Sequence, residues 1–468
     1  MHVPTWSDNG KHHNRALMPK RERHAMTSFD GPRLVRASFD AALAAADPLG
    51  ARSFIADHLP PRPKGRVVVV GAGKAAASMA VAVEREWPEV AMSGLVATRY
   101  AHGLPTRCIE VAEAGHPVPD EAGARAAARM HALVEGLGPD DLLLALISGG
   151  GSSLMSSPAP GLTMDHLKQL NRALLASGAP IGEMNVVRKH CSAIAGGRLA
   201  EAAVRRGAQV VALIISDVTG DDPAEIASGP CAPDPSTYRD ALEIVKRYRV
   251  DLPYAVRNHL QRGSDGAIAE TPKPGDPAFA HVANHIVASA HASLDAAAEY
   301  FRAQGIAAAV LGDTVTGEAR EVAKVYAALA REIRHHGQPW KPPVALISGG
   351  ECTVTLPQAH ARDVRAAKGD RGRGGRCTEF LLSLAIELNG MADCYALACD
   401  TDGIDGSEDN AGAVLAPDTL ARAAAHGLTA RAKLDVNDAW GFFDAVGDLV
   451  VTGPTRTNVN DYRVILLG

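Results

Sequence analysis

The chain has 468 residues, of which 46% are hydrophobic and 22% charged, a globular composition that excludes a disordered or fibrous protein. A formal net charge of -5 leaves no basic footprint for nucleic acid, and no apolar run approaches the roughly 20 residues of a membrane-spanning helix. Seven cysteines, without a CxxC pair, read as buried thiols in a reducing compartment and point to the cytoplasm.

In chain order, residues 1–26 are polar, lack the apolar core of a signal peptide, and read as a loose extension. Short β-branched runs then alternate with alanine-rich stretches. Arg66–Val70, Gly94–Thr98, Leu142–Ile147 and Val210–Ile215 read as buried parallel strands, with helices predicted over Lys74–Glu86 and Asp120–Gly136. That alternation predicts an α/β fold with a Rossmann-like, doubly wound sheet. The segment "DGAIAETPKPGDPAFA" (265–280) holds three prolines and reads as a linker. Beyond it, Val282–Ala288, Ala307–Leu311, Val344–Ile347, Tyr395–Ala398 and Tyr462–Leu467 resume the strand pattern. The expectation is an N-terminal domain over 27–265 and a C-terminal α/β domain over 280–468.

Ligands of open α/β sheets bind beyond the carboxyl ends of the strands, so the loops after each strand carry the chemistry. After Val70, "GAGKAAASMA" sets Gly71, Gly73 and Ala76 in the GxGxxA frame of a dinucleotide turn, but Arg99 stands where the next strand would end in a ribose-binding acid. An arginine there suits a 2′-phosphate, so an NADP-type reading stays open. Lys74 is a cation at a helix N-terminus, placed to touch a phosphate or a carboxylate. "LISGGGSS" (146–153) offers Ser148, Gly149, Gly150, Gly151, Ser152 and Ser153 as an anion cradle, and is neither a Walker A loop nor a nucleophile elbow. It is echoed by "LISGGE" (346–351), with Gly349, Gly350 and Glu351.

Asp217, with Asp221 and Asp222 beyond it, and the group Asp400, Asp402 and Asp405 put carboxylates in glycine-bearing loops after strands. Such loops suit Mg2+, and Asp217 and Asp402 are the candidate ligands. "RAAKGDRGRGGRCTEF" (365–380) sets Arg371, Arg373 and Arg376 among glycines as a phosphate clamp, with Glu379 one turn further on. "NVVRKH" supplies Asn185, Arg188, Lys189 and His190, which suit either a bound carboxylate or a solvated charge cluster. His116, between turn residues, reads as structural. Two glycine cradles, acid loops and arginines without a nucleophile triad form a kit for phosphoryl transfer, where catalysis is mainly positioning and charge neutralisation.

These segments, together with "EAGHPVPDEAG", "SDVTGDDPAEIASGPCAPDPST", "DTDGIDGSEDNAGAV" and "TGPTRTNVND", resemble the glycerate 2-kinase family, class II glycerate kinases whose C-terminal part is the MOFRL domain. The resemblance runs from about residue 27 to the C-terminus. It implies an active site in the cleft between two domains, the second with a mixed sheet. It also implies transfer from Mg-ATP to the 2-hydroxyl of D-glycerate. Lys74 and Arg376 match the family's proposed active-site lysine and arginine. Asp217 is the candidate base, and Asn458 is kept from the family's C-terminal motif. One glycine turn is expected to hold nucleotide phosphate and the other to help hold the acceptor. Two departures stand out: Cys377-Thr378 where the family has Asn-Gln, and Arg456 where it has glycine. A homodimer is the default oligomer. The competing readings are an NAD(P)H-dependent hydroxypyruvate reductase and a non-catalytic nucleotide-binding regulator.

Overall fold

Six strands form the first sheet: β1 (Val67–Ala72), β2 (Met92–Arg99), β3 (Ile109–Ala114), β4 (Leu142–Ile147), β5 (Gln209–Ile215) and β6 (Val282–Ala288). They appear in a computed structural model that describes residues 30–51, 53–356 and 372–468; the polar N-terminal extension lies outside these. The order is β3-β2-β1-β4-β5-β6 with every pairing parallel, the doubly wound arrangement in which strand order reverses between β1 and β4. Alternate residues of each strand serve opposite faces. Val68 and Val70 pack with the helices Glu121–Glu135 and Arg198–Val204, while Val67 and Val69 pack with the helix Ala76–Glu86. Burial on both faces is why β1, β4 and β5 are unbroken apolar runs.

The second sheet draws on β7 (Ala307–Val310), β9 (Val344–Ser348), β11 (Cys394–Asp400), β12 (Gly412–Leu415), β13 (Leu449–Val450) and β14 (Asp461–Leu467). Its order is β13-β12-β11-β14-β9-β7, antiparallel except between β7 and β9. A small parallel pair, β8 (Gly317–Glu318) with β10 (Cys352–Thr353), stands apart. Helices Ala319–His336 and Arg376–Leu388 cover one face of the mixed sheet.

Three features depart from the sequence reading. Val282–Ala288, expected to open the second half, pairs with β5 as an edge of the first sheet, so the proline-bearing stretch before it is a crossover within that sheet. The helix Gly31–Ala45 packs on the second sheet although it precedes every strand of the first: Phe39 meets Tyr462 at 5.7 Å between ring centroids, and the Tyr462 hydroxyl donates to Ser38 Oγ at 2.8 Å. Gly71 is no turn residue. It lies inside β1, paired with Leu146, and a Cβ there would run into the Leu146 backbone.

That last contact is testable. Gly71→Ala forces two central strands apart, and urea denaturation should show a loss of about 1–3 kcal/mol, the usual cost of overpacking a core.

Candidate active site

The ends of β1, β4 and β5 lie side by side at the reversal of strand order, and each contributes a named residue. Lys74 follows β1, and its backbone N–H donates to the Gly149 carbonyl beyond β4 at 2.9 Å. Asp217 follows β5. Gly149 must be glycine because a Cβ would strike both the Asp217 carboxylate and the Asn458 amide. Asn458 Nδ2 donates to Asp217 Oδ2 at 3.0 Å, so the C-terminal segment reaches the first sheet here. Gly150 turns left-handed at φ 82° against the His116 ring.

Lys74 Nζ donates to Asp402 Oδ2 at 2.5 Å, with both side chains largely buried. Burial pulls the ammonium pKa down, but Asp402, Asp400 and Asp217 together hold it above its ordinary value. Two residues from Asp402, Asp400 accepts a hydrogen bond from Arg376 Nη2 at 2.7 Å. Arg376 Nε also donates to Asp461 at 2.9 and 3.0 Å, and Nη1 lies 3.4 Å from Glu351. Burial opposes the Arg376 charge, but the three carboxylates outweigh it and raise its pKa further. Behind them Arg463 donates to Asp461 and, through Nη1, to the Gly349 carbonyl at 2.9 Å. The second glycine turn therefore anchors a buried guanidinium.

Desolvation shifts the acids. Burial pushes Asp217 up to about 6, against the pull of Lys74, and Asp400 rises to about 6 from burial and from its neighbour Asp402. His116 falls to about 4 through burial and the Lys74 charge, so its ring is neutral at physiological pH.

A cavity of about 470 Å³ opens from Asp217 and the first glycine turn. Gly150, Gly151, Ser152, Ser153, His116 and Arg188 line it. Arg188 Nε donates to Asn171 Oδ1 at 2.8 Å and Nη1 to Asn185 Oδ1 at 3.2 Å, with no ion pair to a carboxylate among the described residues. Desolvation lowers its pKa. Its guanidinium is thus held at the cavity by neutral groups.

Other expected site residues are placed elsewhere. Lys189, next to Arg188, turns inward and is buried against Glu225 at 2.7 Å and Asp234 at 3.7 Å. Glu379 is buried and accepts hydrogen bonds from Arg320 at 2.8 Å and from Asn437. Ser148 Oγ accepts from the Ala75 N–H at 3.0 Å and so ties two loops together. Arg373 lies over the Trp440 ring at 4.3 Å and beside Asp438, while Arg371 falls outside the described residues. Asp405 caps the helix Arg376–Leu388 from a distant loop, accepting from the N–H groups of Cys377 and Thr378 at 2.9 and 2.8 Å and from the Thr378 hydroxyl at 2.7 Å. Both departures at 377–378 are thus absorbed by a cap. Arg456 takes the left-handed φ of 59° that a glycine would adopt freely, a strain of about 1–2 kcal/mol.

Arg463 and Asp461 escaped the sequence reading. A charged residue within the apolar run of β14 is the signal that could have flagged Arg463.

Asp217 and Asp402, the expected metal ligands, both lie near the Lys74 ammonium, and among the described residues no three His, Cys, Asp or Glu side chains form a ready-made metal cluster.

Comparison with known proteins bears on the same segments. Residues 34–261 match the model of a domain of unknown function, DUF4147, and residues 344–461 match the MOFRL family. A glycerate 2-kinase of Pyrococcus horikoshii is 37% identical over 406 residues, covering 86% of this chain and 88% of its own. The chain belongs to the glycerate 2-kinase family, whose members are phosphotransferases. The crystal structure of a glycerate kinase from Thermotoga maritima superposes with a TM-score of 0.79 at 35% identity, over 93% of this chain and 98% of that one. A protein of Agrobacterium vitis that carries a hydroxypyruvate reductase name is 52% identical over 450 residues, 96% of this chain and 97% of its own. Among the described residues no helix is long and apolar enough to cross a membrane, and the cysteines are unpaired.

Asp461 joins two arginines in a space almost without water. Asp461→Asn should leave Arg376 and Arg463 undercompensated and lower unfolding stability by about 3–5 kcal/mol, the cost of removing one partner of a buried pair, measurable by urea titration.

Proposed function

We propose that the protein is an ATP-dependent glycerate 2-kinase that phosphorylates D-glycerate at the 2-hydroxyl, giving 2-phosphoglycerate and ADP, with Mg2+ as cofactor. The observation that carries this reading is the convergence of Lys74 and Arg376 on one acid loop, through Asp402 and Asp400. Lys74 comes from the first sheet and Arg376 from a helix on the second, so two cations from separate sheets flank one small space.

In phosphoryl transfer the protein's task is to hold donor and acceptor in line and to neutralise the charge spread over the migrating group. The glycerate 2-oxygen bonds to the γ-phosphorus as the bond to the bridging β,γ-oxygen breaks, and the hydroxyl proton passes to a base. Asp217 supports the role of base, since a carboxylate titrating near about 6 is ionised at neutral pH yet basic enough to accept a late proton. Lys74 and Arg376 stabilise the equatorial oxygens. Asn458 fixes the Asp217 carboxylate, and Arg188 anchors an anionic substrate group in the cavity. A bound Mg2+ would be held by Asp402, which leaves the Asp217 carboxylate to take the proton, and would supply neutralisation of phosphate charge.

The hydroxypyruvate reductase reading rests on the GxGxxA frame. That turn does not offer its backbone to a pyrophosphate: the N–H groups of Gly73, Lys74 and Ala76 donate to Ala97, Gly149 and Gly73 carbonyls. Arg99 also keeps the place of the ribose-binding acid.

An enolase-coupled assay with D-glycerate, ATP and Mg2+, without phosphoglycerate mutase, should give signal directly, and chelating the metal should remove it. Lys74→Ala should lower kcat by at least about 100-fold. Signal that needs added mutase would move the phosphoryl group to the 3-hydroxyl, and hydroxypyruvate-dependent NAD(P)H oxidation without kinase signal would replace the kinase with a reductase.

The pH dependence has a definite sign. Because the folded Asp217 pKa is raised to about 6, the carboxyl favours the fold when protonated, and that contribution is lost as pH rises from about 4 through 6. Activity runs the other way: kcat/KM should rise with pH through about 6, and Asp217→Asn should flatten that limb along with lowering the rate.

A further inference from the structure

The cavity beside Asp217 is larger and more varied than a three-carbon acid requires. At about 470 Å³ it falls in the range of about 300–1,000 Å³ that takes drug-sized ligands. Its wall also carries more positive charge than a single carboxylate would use. Lys168 and Arg172, one turn apart on the helix Met164–Ser177, stand with Arg188 along the cavity. None of the three forms an ion pair among the described residues, whereas Lys189 and Lys74 do. The side chains of Lys168 and Arg172 also make no hydrogen bond among the described residues.

Further along the same helix, and at the start of the helix Ile181–His190 that carries Arg188, the lining turns apolar and exposed. Val118, Leu175 and Ile181 are 67%, 66% and 60% exposed, and all three line this cavity. Large apolar side chains left in water around a concave site mark a surface that something covers. A ligand with several negative charges at one end and a flat, weakly polar body at the other matches this sequence of basic and then apolar lining. Glycerate has neither the charges nor the body.

We infer that this cavity is the nucleotide site, taking a nucleoside polyphosphate with its phosphates on Lys168, Arg172 and Arg188 and its nucleoside against Val118, Leu175 and Ile181. The inference rests on the kinase reading and assigns which substrate enters from which side. The terminal phosphate then points past Gly150 toward Asp217 and Lys74, and the acceptor approaches from the side of Arg376 and Glu351. That the acceptor side is rich in carboxylates fits a site where charge is completed only when phosphate and metal are both present.

The test uses the full chain and Mg-ADP, so that binding is read without turnover. Isothermal titration calorimetry on the wild type should show one site. The surface double variants Lys168→Ala/Arg172→Ala and Leu175→Gln/Ile181→Gln should each weaken ADP by about tenfold or more. The first pair should also flatten the salt dependence of binding, while in the coupled assay the KM for glycerate stays within about twofold. Circular dichroism melts confirm that each variant is folded. ADP affinity indifferent to both pairs, a rise in glycerate KM instead, or no ADP binding to the wild type would overturn the assignment. Wild-type turnover with D-glycerate tests the kinase reading separately: a chain that fails to phosphorylate glycerate but loses ADP affinity in both variants keeps the nucleotide site and loses only the acceptor.

Discussion

Charge held out of water governs the arrangement of this molecule. Asp400, Asp402 and Asp461 are almost fully buried, as is Arg463, and each would be prohibitively costly alone. They are tolerable because Lys74, Arg376 and Arg463 interleave with them at hydrogen-bonding distance. The interleaving demands exact placement, and the surrounding backbone supplies it. Gly149 makes room for Asp217, Gly375 lies against Asp405, and the carbonyl of Gly349 accepts from Arg463 Nη1. The repeated glycine turns thus do different work: the first opens onto a cavity, and the second braces a buried arginine.

Much of this was legible in the letters. Strands buried on both faces leave unbroken Val, Leu and Ile runs, and β4 begins and ends where its run does. Small residues after those runs mark where backbones approach one another, which is why Lys74, Asp217 and Asp402 stood out from their neighbours. The edge strand β3 was missed because it alternates acids with apolar residues, as an exposed edge does.

What stayed hidden depends on direction and on distant partners. Arg188 and Lys189 are adjacent and equally basic, but a helix turns about 100° between neighbours, sending one to the cavity and the other into a buried ion pair with Glu225. Asp405 reads as one more acid in an acidic loop, yet it caps a helix that begins 29 residues earlier in the chain, as its contact with Cys377 and Thr378 shows. Glu379, so close to Arg376 in sequence, is captured by Arg320. No local pattern announces such pairings, since each is decided by what the fold brings opposite.

The helix Gly31–Ala45 has a consequence for how the two sheets share one chain. It precedes every strand of the first sheet but lies on the second, and Thr457 secures its end through a hydrogen bond to the Ala46 carbonyl at 2.6 Å. The polypeptide therefore crosses between the sheets twice, once on leaving this helix and once after β6. A single cut near residue 280 would free neither half: the C-terminal fragment would expose the sheet surface under Phe39, and the N-terminal one would carry an apolar helix with nothing beneath it.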